Sequence, residues 1–429
     1  MYLLNNLFYL IILLGITLPA QELGEMTIYN TDNSGLTYNQ INCIEFDGEN
    51  RLWAGTEDGL SIFNEFNNNW DNVYQKSPNS TTPWSGLKSN TITSLEWDNE
   101  QTMFIGTPIG ITDVWWETGN FGNNGQEANW SLNFGNSCIP NNGIITTILH
   151  NNNSSQIWAG STDGLCIEGL GPEGSWLMQN TKTGFYSNNI TDINQSITND
   201  MIAIGTMNGG LITYSDEFNI YYSSNSDILD NTVLDVVFDQ NNNIIICTPQ
   251  AGLGVLTENG SWIWFNTINS DLPTNSLRNI IVDNNNNLWI TTLENGLVHY
   301  KDNVFYNYTT ENSDLPDNNI NCLKIGPNNH LWLGTDTAGI VKISNPGILI
   351  DEVKKISSNI WPSIFKDAIN IQSEKDAIIN IINQQGKLVS RTKCKDGINI
   401  INTSNYKPSL YLIMVEYKTH ISINKIIKP

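Results

Sequence analysis

Seven copies of one short unit run through residues 41–343, and self-similarity at a regular period constrains a fold more than any single motif. The clearest copies are Leu52-Trp53-Ala54-Gly55-Thr56-Glu57-Asp58-Gly59-Leu60, Ile157-Trp158-Ala159-Gly160-Ser161-Thr162-Asp163-Gly164-Leu165 and Leu331-Trp332-Leu333-Gly334-Thr335-Asp336-Thr337-Ala338-Gly339-Ile340. Weaker ones contain Phe104-Ile105-Gly106-Thr107, Ala203-Ile204-Gly205-Thr206, Ile246-Cys247-Thr248 and Trp289-Ile290-Thr291-Thr292. The Thr or Ser of each copy falls at 56, 107, 161, 206, 248, 292 and 335, intervals of 42 to 54 residues.

Within a copy, short alternating runs are separated by Gly, Asn and Asp turns, and no long stretch shows a 3.6-residue period. The last copy reads Asn319-Ile320-Asn321-Cys322-Leu323-Lys324-Ile325, then the turn 326–329, then His330-Leu331-Trp332-Leu333-Gly334. Better copies add an aromatic fourth strand, such as Trp262-Ile263-Trp264-Phe265. A four-stranded sheet of this size buries both faces only when packed between neighbours, which predicts an all-β, seven-bladed propeller. The seventh copy ends near Ile343 without a fourth strand, whereas a spare one, Met26-Thr27-Ile28-Tyr29-Asn30, precedes the first copy. An N-terminal strand closing the last blade would remove the exposed edge.

The net charge is -23, with only 15% charged residues; 65 Asn supply much of the polarity. Such a chain lacks the basic footprint of a nucleic-acid binder. Its sign is uneven: residues 347–429 hold twelve Lys+Arg against seven Asp+Glu, so the acidity lies in the propeller and the tail is basic. Two domains with different tasks are expected.

Residues 7–18 form an apolar run followed by Pro19-Ala20-Gln21, the length of a signal-peptide core and short for a membrane span. The expected division is a signal peptide at 1–21, the propeller at 22–346, a linker at 347–358 and a β-sandwich at 359–429. No integral membrane segment is expected in the mature chain. None of Cys43, Cys138, Cys166, Cys247, Cys322 and Cys394 has C-x-x-C spacing, and most are read as small buried hydrophobes.

The repeat, with its Asn-x-Ile strand, polar hairpin, Trp-x-Gly-Thr and following Gly-Leu, resembles the two-component regulator propeller family over about 26–343. That resemblance implies the fold and ligand binding outside the cell, commonly of glycans, as in the extracellular halves of sensor kinases. No kinase or DNA-binding part accompanies it here.

The turns after the second strands set Glu57, Asp58, Asp163, Glu294 and Asp336 around one rim. Carboxylates in a concave mouth suit cations or sugar hydroxyls. They equally suit ordinary turn chemistry, with Asp closing its own turn and Gly supplying positive φ. The two longest intervals insert material beside the first blades: residues 76–87, on the face of the acidic turns, and 117–127, expected as a long hairpin on the opposite face. Trp84 lies in the first insertion without strand periodicity and is the leading candidate for sugar stacking. Trp53, Trp158, Trp289 and Trp332 stand at repeat positions and are expected as wedges between blades, with Trp115, Trp116 and Trp130 also packing. His150, His299 and His330 sit at strand ends or turns, and no nucleophile elbow, phosphate loop or His-x-x-x-His motif occurs. No catalytic residue, metal ligand or cofactor is assigned.

Residues 359–429 read as a small β-sandwich of alternating Ile-rich strands. Their order of motifs resembles the type A C-terminal sorting domain of type IX secretion in Bacteroidota: Trp361-Pro362-Ser363-Ile364-Phe365-Lys366-Asp367, Gly386-Lys387-Leu388-Val389, Leu410-Tyr411-Leu412 and Lys425-Ile426-Ile427-Lys428. The corresponding positions are Pro362, Phe365, Asp367, Gly386, Lys387, Tyr411, Lys425 and Lys428. The resemblance implies recognition by the secretion machinery and removal by a sortase-like peptidase, leaving the propeller secreted or on the outer-membrane surface. The combined expectation is a non-catalytic binding module for an extracellular glycan. The alternatives are a metal-assisted polysaccharide lyase and a structural or adhesive protein that binds surface proteins.

Overall fold

The computed structural model describes residues 23–429 except 76–86, 88, 118–127, 132–142, 172–174, 345, 347–359, 362–366, 374–376, 384–386, 417–420 and 429. The chain forms two compact units, one from Leu23 to Gly347 and one that includes the C-terminal residues from Ile348 onward.

The first unit is seven four-stranded antiparallel sheets. Blade 1 is Ile41–Phe46, Leu52–Thr56, Gly59–Asn64 and Asn69–Val73. Blade 2 begins at Ser94–Trp97, blade 3 at Ile145–His150, blade 4 at Ile190–Gln195, blade 5 at Asp235–Phe238, blade 6 at Leu277–Val282 and blade 7 at Ile320–Ile325. Each of these innermost strands packs beside that of the next blade, and the seventh beside the first, so the ring is closed. In blade 2 the third strand, Gly110–Trp115, pairs with Asn129–Ser131, and the second long insertion spans their connection. The expected closure is present: Glu25–Tyr29 pairs antiparallel with Ile340–Ser344, Tyr29 opposite Ile340 and Glu25 opposite Ser344.

Packing between blades explains the repeat's apolar letters. Trp53, Trp158, Trp289 and Trp332 are at most 1% exposed. Each joins a cluster with the following blade; Trp332 packs with Ile41 and Leu52, and Trp53 with Ile92 and Leu95. Trp116 is also buried, stacked 5.5 Å from Trp53, whereas Trp115 is 42% exposed. The Gly of Trp-x-Gly is required by close approach: a Cβ on Gly55 would lie 2.5 Å from Cys43 Sγ and 2.6 Å from Ile92 Cγ2 of the next blade. Cys43, Cys247, Cys322 and Cys394 are free thiols, and Cys166 is disulfide-bonded.

The second unit is a small sandwich. One sheet has the order Ile360–Trp361, Ala368–Ser373, Gly397–Asn402. The other has the order Leu388–Lys393, Ile378–Asn383, Ser409–Glu416, Ile421–Lys428. Ile369, Ile371, Ile379, Ile381, Ile413 and Val415 form its core.

Candidate functional site: the mouth of the central channel

The turns between second and third strands share a face with the connections that lead to the next blade. Backbone bonds tie the two together: Gly59 N donates to Asn90 O, Gly210 N to Asn231 O, Gly296 N to Asn318 O and Gly339 N to Asn39 O, at 2.7–3.1 Å. On this face the inner strands begin, and around the axis they leave a cleft of about 510 Å³. Blade 1 contributes Gln40, Asn42 and Glu57, blade 2 Thr93, blade 3 Ile144, Ile145 and Thr146, blade 6 Arg278, and blade 7 Asn319, Asn321 and Asp336.

The position after the first apolar residue of the inner strand lines this mouth in blades 1, 2, 3, 6 and 7, as Asn42, Thr93, Thr146, Arg278 and Asn321. In blades 1, 3 and 4 the residue there donates to the next blade's backbone: Asn42 Nδ2 to Ile92 O at 3.0 Å, Thr146 Oγ1 to Ile190 O at 2.6 Å and Thr191 Oγ1 to Val233 O at 2.6 Å. Glu57 is held by Asn42 Nδ2 at 2.9 Å and Thr91 Oγ1 at 3.1 Å. Arg278 Nη1 donates to Asn321 Oδ1 at 2.6 Å. Burial lowers the Arg278 pKa from its ordinary value, opposed by the charges of Cys322 and Asp336. Among the described residues, none is a hydrogen-bond partner of the buried Thr93 Oγ1, which lines the cleft. The mouth therefore mixes amide, hydroxyl and guanidinium donors with carboxylate acceptors beside the apolar Ile144.

Of the five rim acids expected from the sequence, Glu57 and Asp336 line the cleft; Asp58, Asp163 and Glu294 stand at equivalent turns but do not. Nor does Asp close these turns. In all seven blades the ruler residue does so, its hydroxyl donating to the Gly carbonyl: Thr56 to Gly59, Thr107 to Gly110, Ser161 to Gly164, Thr206 to Gly210, Thr248 to Gly252, Thr292 to Gly296 and Thr335 to Gly339, at 2.7–3.0 Å. The same oxygen accepts from the turn, as from Asp58 N at 3.0 Å. The Asp58 side chain is turned to the neighbouring connection, where Asn90 Nδ2 reaches it at 3.3 Å. Trp84 lies outside the described residues.

Deeper in the channel lies a polar set that the repeat consensus obscures. Inner-strand acids accept backbone N–H groups of the next blade: Glu96 from His150 at 3.0 Å, Asp192 from Val236 at 3.2 Å and Asp235 from Ile280 at 2.9 Å. Glu45 pairs with Lys324 across the junction of blades 7 and 1. Burial, then the charge of Glu45, pushes Glu96 up to about 8, while Lys324 pulls the other way. Asp192 and Asp235 are raised by burial, Asp235 further by its neighbour Asp192. The signal for these residues was available as acids at two inner-strand positions. Those positions vary from copy to copy (Cys, Ser, Thr or Asn where Asp192 and Asp235 stand; Leu, Asn, Val, Ile or Lys where Glu45 and Glu96 stand) and so escape a motif search.

Among the described residues, no group of three or more His, Cys, Asp or Glu is placed to hold a metal ion. His299 is buried and stacked 3.8 Å from Trp289, and burial pushes its pKa down to about 4. No helix among the described residues is long and apolar enough to cross a membrane.

Residues 35–58 and 314–337 match the two component regulator propeller model, and residues 359–429 match the secretion system C-terminal sorting domain. The chain carries a two-component regulator propeller-like region and a type IX sorting domain. It is thus a secreted or cell-surface protein exported through type IX secretion. In the sorting domain, Asp367 O accepts from Thr403 N at 2.8 Å and Tyr411 Oη donates to Lys407 O at 2.8 Å. Lys387 N donates to Asn383 Oδ1 at 2.9 Å, and Lys428 Nζ donates to Thr403 O and Ser404 O. Lys425 stands in the last strand opposite Leu412; Pro362, Phe365 and Gly386 lie outside the described residues.

Two solved structures share the fold. The extracellular domain of the hybrid two component system BT3049 from B. thetaiotaomicron matches at 16% identity and a TM-score of 0.62, covering 94% of this chain and 57% of that one. PorZ, a surface component of the type-IX secretion system of Porphyromonas gingivalis, matches at 14% identity and a TM-score of 0.54, covering 94% of this chain and 61% of PorZ. The chain thus spans about three fifths of each. No curated protein sequence matches it.

Proposed function

We propose that the propeller is a non-catalytic extracellular binding module that takes a glycan at the mouth of its channel. The observation that carries this reading is the cleft itself: converging amides, hydroxyls, two carboxylates and a guanidinium, with Ile144 and Ile145 as an apolar wall. Sugars present both donors and acceptors on each ring plus apolar C–H faces, and a mixed lining with few net charges suits them. Trp84, in the Ser/Thr/Pro/Gly insertion, joins the proposal as a stacking residue.

The test is retention of glycans by the full chain on an array and a polysaccharide panel, with product analysis alongside. Substitution of Asn321 by Ala releases Arg278 from its anchor and is expected to weaken binding about tenfold, the scale of one lost charge-assisted hydrogen bond. Trp84→Ala is expected to do the same. New reducing ends or unsaturated products would replace this reading with an enzymatic one.

A second reading, a protein-facing surface component, draws on one observation. Tyr38, Tyr74, Ile109 and Ile144 are all at least 42% exposed on the face of the mouth. Absence of any retained glycan, with capture of a defined surface protein lost on Tyr74→Ser, would favour it.

A further inference from the structure

The sandwich of the sorting domain has two consecutive edge strands, one in each sheet, joined by residues 394–396. Leu388–Lys393 is an outer strand of the four-stranded sheet, and among the described residues Gly397–Asn402 pairs only with Ala368–Ser373 in the other. The two edges are treated differently. The first carries exposed Arg391 and Lys393, the charged side chains that commonly block further strand pairing. The second carries Ile398 and Ile400, 61% and 70% exposed, and no charge at all between Gly397 and Asn402. Asn399 is tied into the turn by its amide, which donates to Lys395 O at 2.9 Å, so the strand's start is held in place.

An unblocked edge bearing alternate isoleucines is a liability in a secreted protein unless something pairs with it. Charge says what. From 387 to 396 the chain has four cations, Lys387, Arg391, Lys393 and Lys395, all exposed, against one exposed acid, Asp396. We propose that Gly397–Asn402 is a docking strand for an extended acidic segment of a protein partner, which adds to the sheet edge, covers Ile398 and Ile400, and meets the cations of the preceding strand and turn. Main-chain bonds would supply affinity, and the apolar and basic side chains the selectivity. An anionic membrane surface would use the cations but has no use for a free sheet edge, which is why a strand is the occupant chosen.

The probe is a short fluorescent peptide of alternating Val and Glu, titrated against the full chain, with a Val–Lys peptide and phosphatidylglycerol vesicles as comparisons. Two double variants are compared, Ile398→Thr with Ile400→Thr and Arg391→Glu with Lys393→Glu, each checked for wild-type circular dichroism and thermal transition. Where a double variant fails that check, Ile400→Thr or Lys393→Glu alone replaces it. The Val–Glu peptide is expected to bind, and each variant to weaken it about tenfold. In the exporting bacterium the same variants are expected to lose surface delivery and accumulate in the periplasm. Equal binding of the Val–Lys peptide, binding indifferent to both variants, no peptide binding, or normal export of both variants would overturn the proposal. Binding to vesicles alone would overturn it in favour of a membrane contact.

Discussion

A single hydroxyl explains why Thr or Ser stands at the same place in all seven copies. At Thr335, fully buried, Oγ1 donates to Gly339 O at 2.8 Å and accepts from Ala338 N at 2.9 Å. Positive φ at Gly339, +85°, lets the chain reverse there, and any Cβ would strike Tyr29 O at 2.2 Å. Replacing Thr335 by Val keeps the shape and removes both bonds, so it is expected to cost about 1–3 kcal/mol, read from urea unfolding of the chain. Thr335→Ser should cost much less, and Asp336→Asn nothing measurable. Loss of stability on Asp336→Asn comparable to that of Thr335→Val would return the turn to the aspartate. Asparagine's abundance has a similarly local cause. Asn30, Asn225, Asn269 and Asn312 stand at the bends that leave the fourth strands, where Asn225, Asn269 and Asn312 each accept from a backbone N–H three residues back. Other asparagines hold left-handed hairpin positions, such as Asn50 at +60° and Asn286 at +63°.

An inner strand is the edge of its own four-stranded sheet, and its unpaired N–H groups must find acceptors near the axis. In blades 3, 5 and 6 a carboxylate from the preceding blade does this, at the cost of burying an acid. Glu96 is the sharpest case because burial and Glu45 both disfavour its charge. Its folded-state pKa, raised to about 8, lies above the unfolded value of 4.5, so the folded chain binds the extra proton between these limits. That stability is fully present below about pH 4.5 and is lost as pH rises through about 8. Glu96→Gln keeps an oxygen for His150 N and cannot ionise. The variant should therefore show a flatter melting temperature across pH 5–8 than the native chain, and the larger gain at the alkaline end. Parallel profiles would mean that Lys324 already keeps Glu96 charged. This network also marks where sequence reading stopped. Blade number, strand closure and wedge tryptophans follow from periodicity, because packing repeats whenever the unit repeats. Asp192 and Asp235 recur in only two adjacent copies, as do Glu45 and Glu96, while Arg278 occurs in one, and only the ring brings them to one axis. Conversely, Glu57, Asp58, Asp163, Glu294 and Asp336 look like a set along the chain, yet of these only Glu57 and Asp336 line the cleft.

For the molecule as a whole, the decisive contact joins the two ends of the propeller. Tyr29 pairs with Ile340, and the ring cannot close until both ends of a chain segment longer than three hundred residues are in hand. The join is reinforced beyond its backbone ladder. Lys324 pairs with Glu45 and Lys342 with Glu65, both across the junction of blades 7 and 1, while Lys342 Nζ lies 5.4 Å from the centre of the Trp332 ring and Tyr29 stacks on that ring at 6.0 Å. Lys342 is buried, so removing Glu65 would leave its charge stranded away from water. Deleting residues 23–29 removes the outer strand of blade 7 and leaves Ile340–Ser344 as a bare edge with Trp332 partly uncovered. The expected outcome is a lower unfolding midpoint for the entire propeller and concentration-dependent oligomers in size-exclusion chromatography, because that edge can pair with another copy. Adding the missing segment back as a free peptide should restore the midpoint and the monomer, as a strand that binds only the folded ring stabilises it by mass action. Folding should slow as well, since closure of so long a loop precedes the contacts that reward it. A truncated ring that melts like the full chain and stays monomeric would show that blade packing alone holds the circle, with the N-terminal strand no more than a cover.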